Sequence, residues 1–413
     1  MAKKSELFSL PGIKEEVKGK DKSLEVSELV DFLITQAIKH NASDVHFLPL
    51  DGRLSVRYRI DGVLQDIVDL SLRVHPRVIA SIKVIAKQVV YLKDRPQDGH
   101  IEKDVEGKSV ELRVATFPTV HGEKAVVRIF DSTEALLDLD KLGFEASIKQ
   151  RFQSLILQPQ GTIILTGPSS SGKTTTIYAA LRRILDVRKN AVNIVTLEDP
   201  VEYNLGNVSQ TQISLPTGLT FVVGLKSILR QDPEVIMIGE VRDVETANIA
   251  VQAGLTGHLV ITTIHSGTAP GVFARLMNMG IEPFLIASSI SGVLAQRLVR
   301  LVCPYCREPY KPQESIIKNL KIKNPGEYSF TRGKGCSRCD QTGYRGRTAI
   351  TELLVVDDKM RDTILKRSAT GQLAKQALKS GMKTLKQDGL GKVSRGITTL
   401  EEISRVSVSE ARW

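Results

Sequence analysis

Gly161-Thr-Ile-Ile-Leu-Thr-Gly167-Pro-Ser-Ser-Ser-Gly172-Lys173-Thr174 decides how this chain is read. The first six residues form an apolar run of strand length, the next eight fit G-x-x-x-x-G-K-[ST], and Thr175 to Leu185 continues with helical spacing. The two glycines let backbone N–H groups turn inward around an anion, and the helix behind them presents the positive end of its dipole. Lys173 suits the β- and γ-phosphates, and the Thr174 hydroxyl suits Mg²⁺. Gly167, Pro168, Ser169, Ser170, Ser171, Gly172, Lys173, Thr174 and Thr175 are therefore the candidate cradle for ATP.

Downstream, Val192 to Leu197, Val235 to Ile238 and His258 to Thr263 are short apolar runs separated by longer helical stretches, the pattern of a parallel α/β sheet. Each ends where polar residues begin, and the carboxyl ends of parallel strands are where such sheets place ligands. Leu197-Glu198-Asp199-Pro200-Val201-Glu202 puts three carboxylates just past one strand, with Glu198 the first choice to orient or deprotonate an attacking water. Ile236-Met-Ile-Gly-Glu240 has the strand-then-acid form of a Walker B element with Glu for Asp, which makes Glu240 the candidate to place Mg²⁺ through water. Its alternative is an ordinary strand-end acid. His258 and His265 bracket the last strand; both are either structural or able to bond a phosphate and relay the nucleotide state.

Ahead of this core, Val26 to Ile38 has helical spacing, Arg53 to Ile60 alternates, and Asp61-Gly62 signals a hairpin turn, so a smaller α+β domain precedes the nucleotide domain. Cys303-Pro-Tyr-Cys306 and Cys336-Ser-Arg-Cys339 form two C-x-x-C pairs. Four thiolates suit a closed, structural Zn²⁺ site and leave no open position for a catalytic water; thiol redox chemistry is the alternative. The expected architecture is a P-loop NTPase (RecA-like) α/β core, with a smaller N-terminal α+β domain and a C-terminal zinc-binding and helical subdomain. The boundaries read as a flexible lead-in at 1–22, the α+β domain at 23–135, the ATPase domain at 142–298, a tetracysteine subdomain at 299–345 and a helical subdomain at 346–413.

The 413 residues are 41% hydrophobic and 25% charged, which argues against a disordered or fibrous chain. A net charge of +11 favours contact with something anionic, be it nucleic acid, lipid head groups or an acidic protein, or else reflects solvated lysines. No secretory signal is read at the start and no window reaches about 18 consecutive apolar residues, so a cytoplasmic location is expected.

Together these residues resemble the secretion-superfamily ATPases that drive type II secretion and type IV pilus assembly. The landmarks are Ala42-Ser-Asp-Val-His46, the P-loop, the acidic segment 197–202, Ser227 to Asp243, Gly254 to His265 and both cysteine pairs, over about residues 25 to 410. The resemblance implies a homohexamer in which Arg113 and Arg128 of the smaller domain reach the phosphates and stabilise charge on the departing γ-phosphoryl. It also implies a motor working on an inner-membrane platform protein, peripheral to that membrane's cytoplasmic face. The cysteine pairs and Gly343 to Leu353 are similar to assembly and secretion members rather than retraction motors. The short front end suits relatives serving DNA-uptake pili as well. A nucleotide-gated scaffold with little turnover is the alternative from another class. Nucleic acid is not expected as a partner, since 5% aromatic residues offer no stacking platform.

Overall fold

A computed structural model of the chain describes residues 10–20, 25–130 and 137–407. The chain divides into two compact units, residues 1–132 with 335–342, and residues 133–334 with 343–413. The first contains α1 (Leu10–Lys20), α2 (Val26–Lys39), β1 (Ala42–Leu50), β2 (Arg53–Ile60), β3 (Val63–Ser71), α3 (His75–Ile85), β4 (Gln97–Val105), β5 (Lys108–Thr119) and β6 (Gly122–Phe130). Its strands form one antiparallel sheet in the order β3-β2-β1-β6-β5-β4. Asp61 and Gly62 both take positive φ, +50° and +81°, giving the tight turn that this residue pair favours. Leu33 and Ile82 pack with Phe47, Tyr58 and Val127 in one core, where Tyr58 donates its hydroxyl to Leu33 O at 2.6 Å.

The flexible lead-in expected over 1–22 is corrected within this unit. Leu10–Lys20 is helical, and Leu10, Ile13 and Val17, spaced by three and four, bury into that core. A Lys/Glu-rich composition masked one apolar stripe. The rest of the lead-in, residues 1–9 and 21–22, lies outside the described residues.

The second unit contains α4 (Ala146–Ile156), β7 (Gly161–Thr166), α5 (Lys173–Val187), β8 (Ile194–Glu198), β9 (Ser209–Gln212), α6 (Phe221–Ile228), β10 (Val235–Ile238), α7 (Val244–Leu255), β11 (Leu259–Thr263), α8 (Ala269–Asn278), α9 (Pro283–Ser289) and β12 (Ile290–Val302). It continues with β13 (Arg307–Pro309), α10 (Glu314–Asn319), β14 (Thr331–Gly333), β15 (Tyr344–Val355), α11 (Asp358–Leu365), α12 (Thr370–Lys379), α13 (Leu385–Ser394) and α14 (Leu400–Ser407). A seven-stranded sheet runs in the order β15-β12-β7-β11-β10-β8-β9, parallel except for β15, which returns antiparallel along β12. Alternation along β7 sends Ile163 and Leu165 into the core shared with α4 and α5, and Ile164 into the core on the opposite face.

The C-terminal helices share that opposite core rather than building their own. Met360, Leu373, Leu385 and Ile403 pack with Phe273 and Val293. Helices of 8 to 10 residues carry too little apolar surface to stand alone and are stabilised by tertiary burial instead. Among the described residues no helix is long and apolar enough to cross a membrane.

Candidate nucleotide site

The phosphate loop leaves β7 at Thr166 and enters α5 at Lys173, at the carboxyl edge of the sheet. Gly167 is required by close approach, since a Cβ there would stand 2.5 Å from Gln296 O and 2.6 Å from Ser171 Oγ. Gly172, the N-cap of α5, has φ +85°, a conformation that favours glycine. Pro168, Ser169 and Ser170 form the exposed crest, Ser171 is buried, and Thr174 and Thr175 stand half-buried in the first helical turn. Lys173 Nζ donates to Gly167 O and Pro168 O, each at 3.0 Å, so the ammonium lies folded over the cradle. Burial holds its pKa below the ordinary lysine value, opposed by the charge of Glu240 and reinforced by that of Arg297.

Glu240 stands just past β10, with its side chain 19% exposed; it accepts from Arg242 Nη2 and lies 3.7 Å from His265 Nε2. Arg242 Nη1 lies 3.8 Å from Asp199 Oδ2. The bond to Glu240 pushes the Arg242 guanidinium above its ordinary value, against partial desolvation. Asp243 is occupied in capping α7, accepting from Thr246 N and Thr246 Oγ1, both at 2.8 Å. Thr174 and Glu240 offer the hard oxygen donors that Mg²⁺ takes, and the loop between them and β7 has the shape of an anion cradle, so the residues fit Mg·ATP.

Two further expected site residues stand in contrasting surroundings. Glu198 is 2% exposed, and both carboxylate oxygens are engaged: Tyr178 OH donates to Oε2, while Thr196 Oγ1 at 2.5 Å and Gln210 Nε2 at 3.0 Å donate to Oε1. Burial and Glu198 push the Tyr178 phenol far above its ordinary range. These three donors fasten the acidic loop through Glu198 to α5 and β9. His258 precedes β11, and Gly161, the first residue of β7, donates its N–H to His258 O at 3.0 Å. This places His258 at the amino edge of the parallel sheet, away from the phosphate loop, with Nδ1 against Ala253 O at 3.1 Å. A parallel strand has two polar ends, and only the carboxyl end, here carrying His265, meets the nucleotide side.

Arg113 and Arg128 belong to the other unit, where β5 and β6 place them directly opposite one another. Like charges opposite across antiparallel strands repel. Asp44 Oδ1, 3.0 Å from Arg128 Nε, and Glu111, 3.8 Å from Arg113 Nε, offset part of this, and the Arg113 guanidinium lies 4.5 Å from the Phe130 ring centre. The Arg128 side chain is nonetheless 61% exposed.

The cysteines converge. All four sulfur atoms lie within 4.8 Å of one another, three of the residues are buried, and none is in a disulfide. Tetrahedral zinc thiolates at about 2.3 Å imply sulfur separations of about 3.8 Å. The Cys336 to Cys339 separation is 3.7 Å, so the set fits zinc.

Several residues that shape the site carry no sequence signature: Thr166, Tyr178, Gln296 and Arg297. Their partners lie 20 to 125 positions away, so no local spacing marks them.

A model of the type II/IV secretion system protein family matches residues 19–405. "Type II secretion system ATPase E" of Vibrio cholerae serotype O1 is 44% identical over 382 residues, covering 92% of this chain and 75% of that protein. "Type II secretion system protein E" of Pseudomonas aeruginosa is 44% identical over 385 residues, covering 93% and 76%. Among solved structures, the Legionella pneumophila ATPase DotB matches with a TM-score of 0.70 over 94% of this chain and 97% of its own, at 21% identity, a likeness of fold.

Proposed function

The chain belongs to the type II/IV secretion system protein family, and on that premise we propose that it hydrolyses Mg·ATP as one subunit of a ring-shaped motor for type II secretion or type IV pilus assembly. The observation that carries this reading is the convergence of Lys173, Thr174, Glu240 and His265 at the carboxyl edge of one sheet. Lys173 exchanges its two carbonyl partners for the phosphates, and the backbone N–H groups of residues 169–174 hold the β-phosphate. Bound Mg²⁺ would supply neutralisation of phosphate charge. Thr174 and Glu240 would hold it. Glu240 is also the carboxylate that orients the attacking water, kept in place by Arg242 and reported on by His265. Glu198 acts through Tyr178, tying the acidic loop to the helix that follows the phosphate loop.

In this reading Arg113 and Arg128 complete the site of a neighbouring subunit in a homohexamer. Their opposed placement and the exposure of Arg128 support it, since a phosphate relieves the repulsion between them. The ring works against a membrane-embedded platform protein from the cytoplasmic face, with zinc at the cysteine site in a structural role. The relatives named as type II secretion proteins favour secretion over pilus assembly.

Complementation tests the shared site. Lys173→Ala and Arg128→Ala chains should each be inactive alone, and mixing them should restore Mg²⁺-dependent phosphate release, because some interfaces then pair an intact cradle with an intact arginine. A mixture as inactive as its components, with oligomers shown to have exchanged subunits, would remove Arg128 from the neighbour's site.

A further inference from the structure

The loop that follows β11 is fastened to the start of the phosphate loop from two directions. Thr166 Oγ1 donates to Ser266 O at 3.0 Å and accepts from Ser266 N at 2.8 Å. From β12, Arg297 donates through Nη2 to Gly267 O at 2.9 Å and through Nη1 to Gln296 O at 3.1 Å. A Cβ on Gly167 would stand 3.1 Å from Arg297 Nη1, so the guanidinium abuts the first residue of the phosphate loop. Gln296, its neighbour on the strand, grips the far half of the same loop by donating Nε2 to Ser171 O and accepting from Thr176 Oγ1, both at 2.8 Å. Arg297 is 6% exposed. Burying a guanidinium is costly, and an apolar side chain would fill the same space, so a fixed cation here needs a use.

We propose that Arg297 is a positioning residue of the nucleotide site: it fixes the separation between the phosphate loop and the His265 loop, and it holds a permanent positive charge behind the cradle. This rests on the nucleotide reading above. Any shift of the phosphate loop on binding is passed through Thr166 to Ser266 and through Arg297 to Gly267, the two residues that follow His265, which itself lies beside Glu240. Loss of Arg297 therefore frees the first residue of the phosphate loop and the His265 loop together and weakens anion binding, and a lysine, which keeps the charge, restores part of it. A purely structural contribution would follow the melting temperature alone, with no advantage of lysine over methionine.

The test is binding of a fluorescent ADP analogue to the full chain at neutral pH, with melting temperatures measured alongside, for wild type, Lys173→Ala, Arg297→Met and Arg297→Lys. Wild type should bind and Lys173→Ala should not. Arg297→Met should bind about tenfold more weakly, the loss of one charged hydrogen-bonding group. Arg297→Lys should recover part of that affinity, whatever its melting temperature. Wild-type affinity in Arg297→Met, or affinity in Arg297→Lys no better than in Arg297→Met, overturns this inference and leaves the nucleotide reading intact; absence of binding by wild type overturns that reading instead. Should Arg297→Met not fold, Arg297→Lys and Thr166→Val each break one tie between the two loops, and wild-type affinity in both would be equally decisive against the proposal.

Discussion

Lys173→Ala is expected to lower ATP and ADP affinity about a hundredfold or more, since it removes a charge-assisted donor from two phosphates at once. Phosphate release falls with it. Glu240→Gln should separate binding from turnover: nucleotide affinity stays within a few-fold of wild type, while turnover drops by about 10²–10⁴, the range of a lost general base. The contrast follows from where the two side chains stand. Lys173 lies in the cradle itself, whereas Glu240 faces it across the carboxyl edge, close enough for its charge to act on Lys173. Glu198→Gln should instead disturb the bonds from Tyr178, Thr196 and Gln210, with a smaller loss of turnover and a lower melting temperature. Equal losses in Glu198→Gln and Glu240→Gln, at unchanged melting temperature, would return the water-orienting role to Glu198.

The second large effect is expected at the cysteines. Metal analysis should find about one zinc per chain, and the Cys336→Ser/Cys339→Ser variant should hold none, because structural zinc sites contribute about 10–16 kcal/mol at neutral pH only when their ligands are complete. Cys303 and Cys306 lie directly beyond β12, whose residues 296 and 297 touch the phosphate loop, and Cys303 N donates to Gly343 O at 3.0 Å next to β15. Loss of zinc should therefore loosen the ends of β12 and β15 first, readable as faster amide exchange over residues 298–306 and 343–348. A folded, metal-free wild type with the same exchange pattern would contradict this.

Much of the core was legible because its signals are local. The spacing of Gly167, Gly172, Lys173 and Thr174, set between an apolar run and a helical one, needs no distant partner to be read, and the strands at 161–166 and 235–238 follow from continuous apolar runs. The place of Glu240 just past its strand was legible for the same reason. His258 was misread because the sequence marks both ends of β11 with histidine while only the fold tells which end carries the ligand. The bonds around Glu198 were not legible because they come from Tyr178 on α5 and Gln210 on β9, elements whose proximity is tertiary. The first helix hid behind a charged composition. Arg297 has no local mark at all: its meaning depends on Gly167 and Gly267, each brought alongside by the sheet order.

The most direct test is Mg²⁺-dependent phosphate release from ATP over a wide range of protein concentration, expressed as turnover per chain, with the mass of the species measured at each concentration. Sites completed by neighbouring subunits predict turnover per chain that is low where the chain is monomeric, rises as oligomers form and then levels off. Full turnover from a monomer, or no Mg²⁺-dependent release at any concentration where oligomers are present, would contradict the account.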